Sequence, residues 1–425
     1  MFATPTLPFF VRFSLQSGHA FGLVHRVAVL AMVLLPITGS LCHAESTIDL
    51  KTTVLVSPVG GPVGKATAAL SDAVYERTGI RWYIRDHFDG ATRIVLSTVA
   101  DLPEGVELPE GFVVPDAAEG FALGVDGETV LIIGRDPRGV LFGVGRLLRE
   151  LTMRRGEVHL PGDTLISTSP KYPMRVHQLG YRNTATSYDL WTVATYEQYL
   201  RDLSIFGCSG AELIQEQPPG EKDSVLMAEP QWDMNIRLAR LLDDYDLDVF
   251  LWYPVPILGE DQERYDRELG YRERFFNEMP RIDHLFVPGG DPGNNHPRIL
   301  MPALKGMAGM LHKRFPDAGV FVSNQKMEPE WTEWMFNYFR EEQPEWLGGY
   351  VYGPGTEHHG IKEAREWLPP QFQIRRYPDI THNLRAQFPV PHWDDPMAQA
   401  LGREGINPRP GHNQLVHNAF DEHAS

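Results

Sequence analysis

The stretch Asp283-His-Leu-Phe-Val-Pro-Gly-Gly-Asp-Pro-Gly-Asn-Asn-His296 decides how the fold is read. A short apolar run goes straight into a Pro-Gly-Gly turn that lifts one carboxylate, Asp291. The layout returns downstream in Gly319-Val-Phe-Val-Ser-Asn-Gln-Lys326 and in Gly349-Tyr-Val-Tyr-Gly-Pro-Gly-Thr-Glu-His-His359. Each passes from strand to polar residues and then to a segment with helical spacing. Such units in series predict a β/α barrel that meets its ligand at the C-terminal strand ends.

Outward from this stretch, strand-like and helix-like segments alternate from Met174 to Arg375. Seven strands are read, beginning with Met174–Leu179 and ending with Phe372–Arg375, and Leu415–Ala419 is the candidate for an eighth. Residues 174–425 have about the usual length of one barrel. Arg376 to Gly411 is long, Pro-rich and lacks a clear helix, so strand eight is where the barrel reading is incomplete.

Towards the N-terminus, residues 45–168 read as a small α/β domain and 169–425 as the barrel domain. Thr53–Ser57 and Arg93–Ser97 are strands, with helical spacing over Gly64–Glu76 between them. Phe121–Val125 and Thr129–Ile133 flank Asp126-Gly127-Glu128, which predicts a hairpin with a tight turn. A helix is expected from Pro137 to Glu150, because proline suits the first helical turn. The glycines of Gly139-Val-Leu-Phe-Gly-Val-Gly145 lie inside the helical pattern, so close packing on a sheet is a simpler account than a nucleotide loop. Pro161 to Pro173 reads as a connector.

With 425 residues, the chain carries 39 Lys and Arg against 56 Asp and Glu, a net charge of −17. That balance argues against nucleic acid or an anionic membrane as partner. Residues 1–44 read as an export signal. Arg12 and Arg26 precede or flank the apolar run Val27–Leu35, and Leu41-Cys-His-Ala44 offers a cleavage site. Cleavage there removes two arginines and no acid, leaving 37 basic against 56 acidic groups, or −19. The expected location is periplasmic or secreted, without membrane insertion after cleavage. Cys208 then stays as a lone thiol with no internal disulfide to form.

The order of a Gly-Phe-Ala-Leu-Gly-Val strand, an Asp-Gly turn, a strand ending at Gly134 and Arg135-Asp-Pro-Arg-Gly-Val-Leu-Phe-Gly-Val144 resembles the α/β domain that precedes the barrel in family 20 β-hexosaminidases and family 67 α-glucuronidases. Ser169-Pro-Lys-Tyr-Pro-Met-Arg175 is similar to the approach to barrel strand one in those enzymes, where an arginine often faces the sugar. Phe286-Val-Pro-Gly-Gly-Asp-Pro292 resembles the strand-four motif of the hexosaminidases. The resemblance implies that Asp291 positions the substrate's acetamido group. Pro292 stands where that motif has its acid, a glutamate. An exported, exo-acting glycoside hydrolase is therefore expected, with a catalytically degenerate carbohydrate-binding barrel as the alternative.

Glycoside hydrolysis needs one carboxyl to protonate the leaving oxygen and a second group as nucleophile or base. Strand ends offer Glu212 and Glu216, Asp291, Glu328, Glu357 and Asp379. Asp291 and Glu357 are the catalytic candidates, because each follows its strand through a Gly/Pro turn. Glu328 precedes Pro329 at a helix start, and Glu212 lies within a strand where an Arg inside the barrel is its other partner. Trp252, Tyr253 and Tyr352 end strands and can stack on sugar C–H faces. Arg175, His177, Asn324 and Gln325 can bind hydroxyls or a carboxylate, and His296, Asp379 and His382 complete the substrate-binding candidates. No His-X-His follows strand one, and adjacent His358 and His359 point to opposite faces of an extended strand. No metal and no cofactor are assigned, and the expected partner is a carbohydrate substrate.

Overall fold

The computed structural model describes residues 47–86, 93–182, 188–255, 262–291, 294–353, 356 and 359–376. Residues 1–44, read as an export signal, Leu415–Ala419, read as a candidate eighth strand, and Glu357, Asp379 and His382 lie outside the described residues.

The first part of the chain builds two sheets. In order come β1 (Thr47–Asp49), β2 (Val54–Val56), α1 (Gly61–Thr78), β3 (Tyr83–Arg85), β4 (Arg93–Thr98), β5 (Phe121–Asp126), β6 (Thr129–Gly134), α2 (Pro137–Glu150), β7 (Thr152–Arg154), β8 (Glu157–Pro161) and β9 (Leu165–Thr168). A six-stranded sheet runs β3-β2-β4-β6-β5-β9, and a three-stranded one runs β1-β8-β7. β5 and β6 form the expected hairpin, with Asp126 opposite Thr129. Gly127 takes φ 59° at the first position of the connection, where a residue with a Cβ is strained. Leu165–Thr168 is no connector, since β9 pairs antiparallel with β5 and extends this sheet.

α2 shows why its sequence folds as it does. Asp136 Oδ1 accepts from Gly139 N at 2.8 Å and Pro137 opens the helix. Val140, Leu141, Phe142, Val144, Leu147 and Leu148 are buried, each contributing about 1.5–3 kcal/mol relative to exposure. A Cβ on Gly139 would stand 2.3 Å from Gly120 O, and one on Gly143 2.5 Å from Ile132 Cγ2. These glycines set a close helix-to-sheet approach.

The second part alternates strand and helix: β10 (Val176–Leu179), α3 (Val193–Ile205), β11 (Gly210–Ile214), α4 (Gln231–Asp244), β12 (Asp248–Trp252), α5 (Gln262–Glu278), β13 (His284–Val287), α6 (Pro297–His312), β14 (Gly319–Val322), α7 (Pro329–Glu342), β15 (Leu347–Tyr352), α8 (Ile361–Trp367) and β16 (Gln373–Arg376). The seven strands pair in parallel in chain order, β10 to β16. Alternate residues face opposite sides. Leu213, Val249, Leu251, Leu285, Val287, Val320 and Val322 join the main core under the helices. Phe286, Phe321 and Val351 pack with Met174 and Trp252 in a separate cluster on the inner face. Arg375 of β16 meets Glu212 of β11 in a buried ion pair. Side chains from the second and seventh strands touch across the interior only if the sheet curls, as in a TIM-type barrel preceded by an α/β domain.

An ionic seam ties α2 to the N-terminal ends of the barrel strands. Arg138 donates to both carboxylate oxygens of Asp248, at 2.8 and 3.1 Å, and to Glu119 at 2.8 Å. Burial works against the Arg138 charge, but Asp248 and Glu119 outweigh it and hold the guanidinium above its ordinary value. Arg281 continues the seam to Asp246, Asp248 and Asp283. This end of a barrel serves stability, which leaves the opposite end for chemistry.

Candidate active site

Two loops at the C-terminal end of the sheet are assembled against each other. Pro288-Gly-Gly-Asp291 follows β13 and Ser323-Asn-Gln-Lys326 follows β14. A Cβ on Gly289 would lie 2.0 Å from Ser323 O, and one on Gly290 2.4 Å from Gln325 O. Gly290 N donates to Gln325 O at 2.8 Å. The glycine pair is therefore required for backbone approach.

That approach delivers Asp291 to two donors. Gln325 Nε2 reaches Asp291 Oδ2 at 3.0 Å and Lys326 Nζ reaches Oδ1 at 2.8 Å. Asp291 is half-buried and Lys326 is 63% exposed. The carboxylate thus stands at the mouth with its charge paired, an arrangement suited to a group acting as an anion.

Beneath Gln325 and Lys326, Asn324 anchors the loop. Its buried amide donates to Thr332 Oγ1 at 3.0 Å, and its Oδ1 accepts from Tyr350 OH. His359 joins at 3.4 Å through Nε2, while its Nδ1 lies 3.2 Å from Gly360 O. A carbonyl only accepts, so Nδ1 carries the proton and Nε2 accepts from Asn324. Asn324, expected at the substrate, is taken up in joining β14, α7 and the segment after β15.

A second cluster lies at the ends of β10 to β12. Arg182 Nη1 pairs with Glu216 Oε2 at 2.7 Å, and its guanidinium lies 5.7 Å from the Trp252 ring centre. Gln231 Oε1 accepts from the backbone N–H groups of Glu216 and Gln217, both at 2.9 Å, and its Nε2 donates to Tyr181 O at 3.1 Å. One buried amide thereby fixes both loops. Arg182 was not among the expected site residues. Its position just beyond strand one, after Leu-Gly-Tyr, was the signal available. Below the mouth, Glu212 also accepts from Gln178 Nε2 at 2.8 Å.

The remaining candidates stand elsewhere. Arg175 lies before β10, at the opposite end from the mouth, bound to Glu119 at 2.5 Å, Gly207 O at 2.8 Å and Tyr172 O at 2.6 Å. His177 faces α3, its ring centre 5.8 Å from that of Tyr199, and burial pushes its pKa down to about 4. Tyr253 is buried behind the sheet against Phe275 and Phe276, with the Arg272 guanidinium 4.2 Å from its ring centre. Burial pushes its phenol up to about 12. Tyr352 also packs on the helix side, 5.8 Å from the His359 ring. His296 caps α6, with Nδ1 accepting from Arg298 N at 3.1 Å, and packs on Trp331 at 4.8 Å. Glu328 sits at the N-cap of α7 without a side-chain cap bond. Among the described residues no three His, Cys, Asp or Glu side chains converge as a metal would require.

No family model matches the chain, and no curated protein matches it. Solved structures do share its fold. A mutant Streptomyces plicatus β-hexosaminidase in complex with its product GlcNAc superposes with a TM-score of 0.54 at 14% identity, over 78% of this chain and 71% of that one. The family 20 β-N-acetylhexosaminidase of Streptomyces coelicolor A3(2) gives 0.52 at 14% identity, over 73% and 72%. A family 115 4-O-methyl-α-glucuronidase with specificity for decorated arabinogalactans gives 0.56 at 12% identity, over 78% of this chain and 49% of that one. The chain therefore has a glycoside-hydrolase-like fold, and identities this low speak for the fold alone.

Proposed function

We propose that the protein is an exported, exo-acting glycoside hydrolase whose active site is the C-terminal mouth of the barrel. The observation that carries this reading is Asp291, lifted by the Gly-Gly turn and held between Gln325 and Lys326 at the rim. Paired with an ammonium, it suits an anionic task, either orienting a polar substrate group or acting as base or nucleophile. Glu357, five residues after Tyr352 in the sequence, is assigned the task of general acid. Trp252 faces inward at the mouth and offers an apolar ring for a sugar face, and Gln325 and the Arg182–Glu216 pair offer donors and acceptors for hydroxyls.

Release of aryl leaving group from a panel of aryl glycosides, including N-acetylglucosaminides and glucuronides, tests the reading. Turnover that is lost in Asp291→Asn and in Glu357→Gln supports it. The second reading, a carbohydrate-binding protein without turnover, is favoured by Pro292 in the place of the hexosaminidase acid. Glycan binding by folded protein with no turnover on any glycoside would decide for it.

A further inference from the structure

Five non-glycine residues among those described have left-handed backbone: Glu119, Asp246, Asn294, Lys326 and Gln343. Glu119 and Asp246 belong to the ionic seam, Gln343 caps the C-terminus of α7, and asparagine tolerates this region through its short polar side chain. Lys326 is different. At φ 57° it holds the third position of the turn closed by Met327 N donating to Asn324 O at 2.9 Å. Positive φ at that position calls for glycine, and an unbranched cationic side chain gains nothing local from it.

What the lysine supplies instead is its ammonium, 2.8 Å from Asp291 Oδ1 on the neighbouring loop. The loops lie so close that Gly289 and Gly290 leave no room for a Cβ. Asn324, one residue before Gln325, fixes the base of the turn through Thr332 and Tyr350. Every element is arranged to bring this side chain to that carboxylate.

We infer that Lys326 is a positioning residue, kept in a strained backbone at the expense of stability because it orients the Asp291 carboxylate at the barrel mouth. The inference rests on the glycosidase reading for the reaction it serves, while the strain and the pairing stand apart from it. Strain of this kind persists where surrounding structure holds it for function.

Three measurements test it on the full chain. Lys326→Met removes the charge and keeps the strained backbone, whereas Lys326→Gly removes both. Lys326→Gly is expected to unfold about 1–3 °C above Lys326→Met; an equal or lower temperature would overturn the strain. On any aryl glycoside that the wild type cleaves, both variants should lower kcat at least tenfold with KM within threefold, and Lys326→Arg should restore part of the loss. Wild-type kcat in Lys326→Gly would overturn the positioning role. Acylation of the Lys326 amine by acetic anhydride, followed by peptide mass analysis, should be at least threefold slower in wild type than in Asp291→Asn. Equal rates would overturn the pairing whatever the turnover. A wild type that cleaves no glycoside removes the hydrolase reading, and the unfolding and acylation results then decide this inference alone.

Discussion

Replacing Arg375 with methionine should destabilise the protein by about 3–5 kcal/mol, the usual result of leaving one member of a buried ion pair without its partner. The size follows from where the pair lies. Glu212 is 0% exposed and Arg375 7%, so solvent cannot take over the abandoned charge. The guanidinium lies 5.0 Å from the ring centre of Phe250 and 5.7 Å from that of Phe286, an apolar surrounding that methionine fills but cannot neutralise. After the change Glu212 keeps the amide of Gln178. Against a total stability of about 5–15 kcal/mol, the loss is large. Urea denaturation of wild type, Arg375→Met, Glu212→Leu and the double variant measures it as a cycle. The double variant should lie within about 2 kcal/mol of wild type, because apolar replacement of both partners removes the uncompensated charge. A single-variant cost below about 1 kcal/mol, or simple additivity, would refute a barrel interior closed by a bond between β11 and β16.

Acid should weaken the fold through two half-buried histidines. His177 and His284 both have pKa values lowered by burial from 6.5 to about 4, so the unfolded chain binds their protons first. Stability is then intact above pH 6.5 and falls as pH drops towards 4, by roughly 3 kcal/mol for each; stability curves of His177→Phe should show a shallower slope in that window. Gly289→Ala should displace the Asp291 loop, because the new Cβ meets Ser323 O at 2.0 Å, lowering stability by about 1–3 kcal/mol and turnover with it; unchanged kinetics would separate that loop from the site. Cys208 is buried and its thiol is pushed up to about 12, so peptide mapping should find it unlabelled by an aromatic disulfide reagent until the chain unfolds. Labelling in native protein at the rate of a free thiol would contradict its burial.

The architecture was legible where periodicity or turn chemistry is strong. The β5–β6 hairpin, α2 with its packing glycines and the run of parallel strands follow from spacing, and the Glu212 pairing with an interior arginine was foreseeable from a charge inside an apolar strand. Three-residue strands such as β1, β3 and β7 are too short to show a period, and β9 was masked by the composition of its surroundings. The candidate site was legible in part. Strand ends placed Asp291, Gln325 and Trp252 at the C-terminal end of the sheet, where the structure has them. The face on which each side chain lies was not readable, because parallel strands apolar on both sides lose the alternation that separates in from out. His177 and Tyr253 therefore looked equivalent to Gln178 and Trp252, one residue away on the opposite face. Arg175 was misread by a strand's length, since it precedes β10 and belongs to the seam with Glu119.

The most direct test of the account is kcat of wild type and Asp291→Asn on the aryl N-acetylglucosaminides and glucuronides of the panel, with unfolding temperatures measured alongside. The account predicts cleavage of at least one glycoside by wild type, and a fall of about a hundredfold or more in an equally stable Asp291→Asn. Cleavage that survives the substitution unchanged would contradict the assignment of the barrel mouth around Asp291 as the active site.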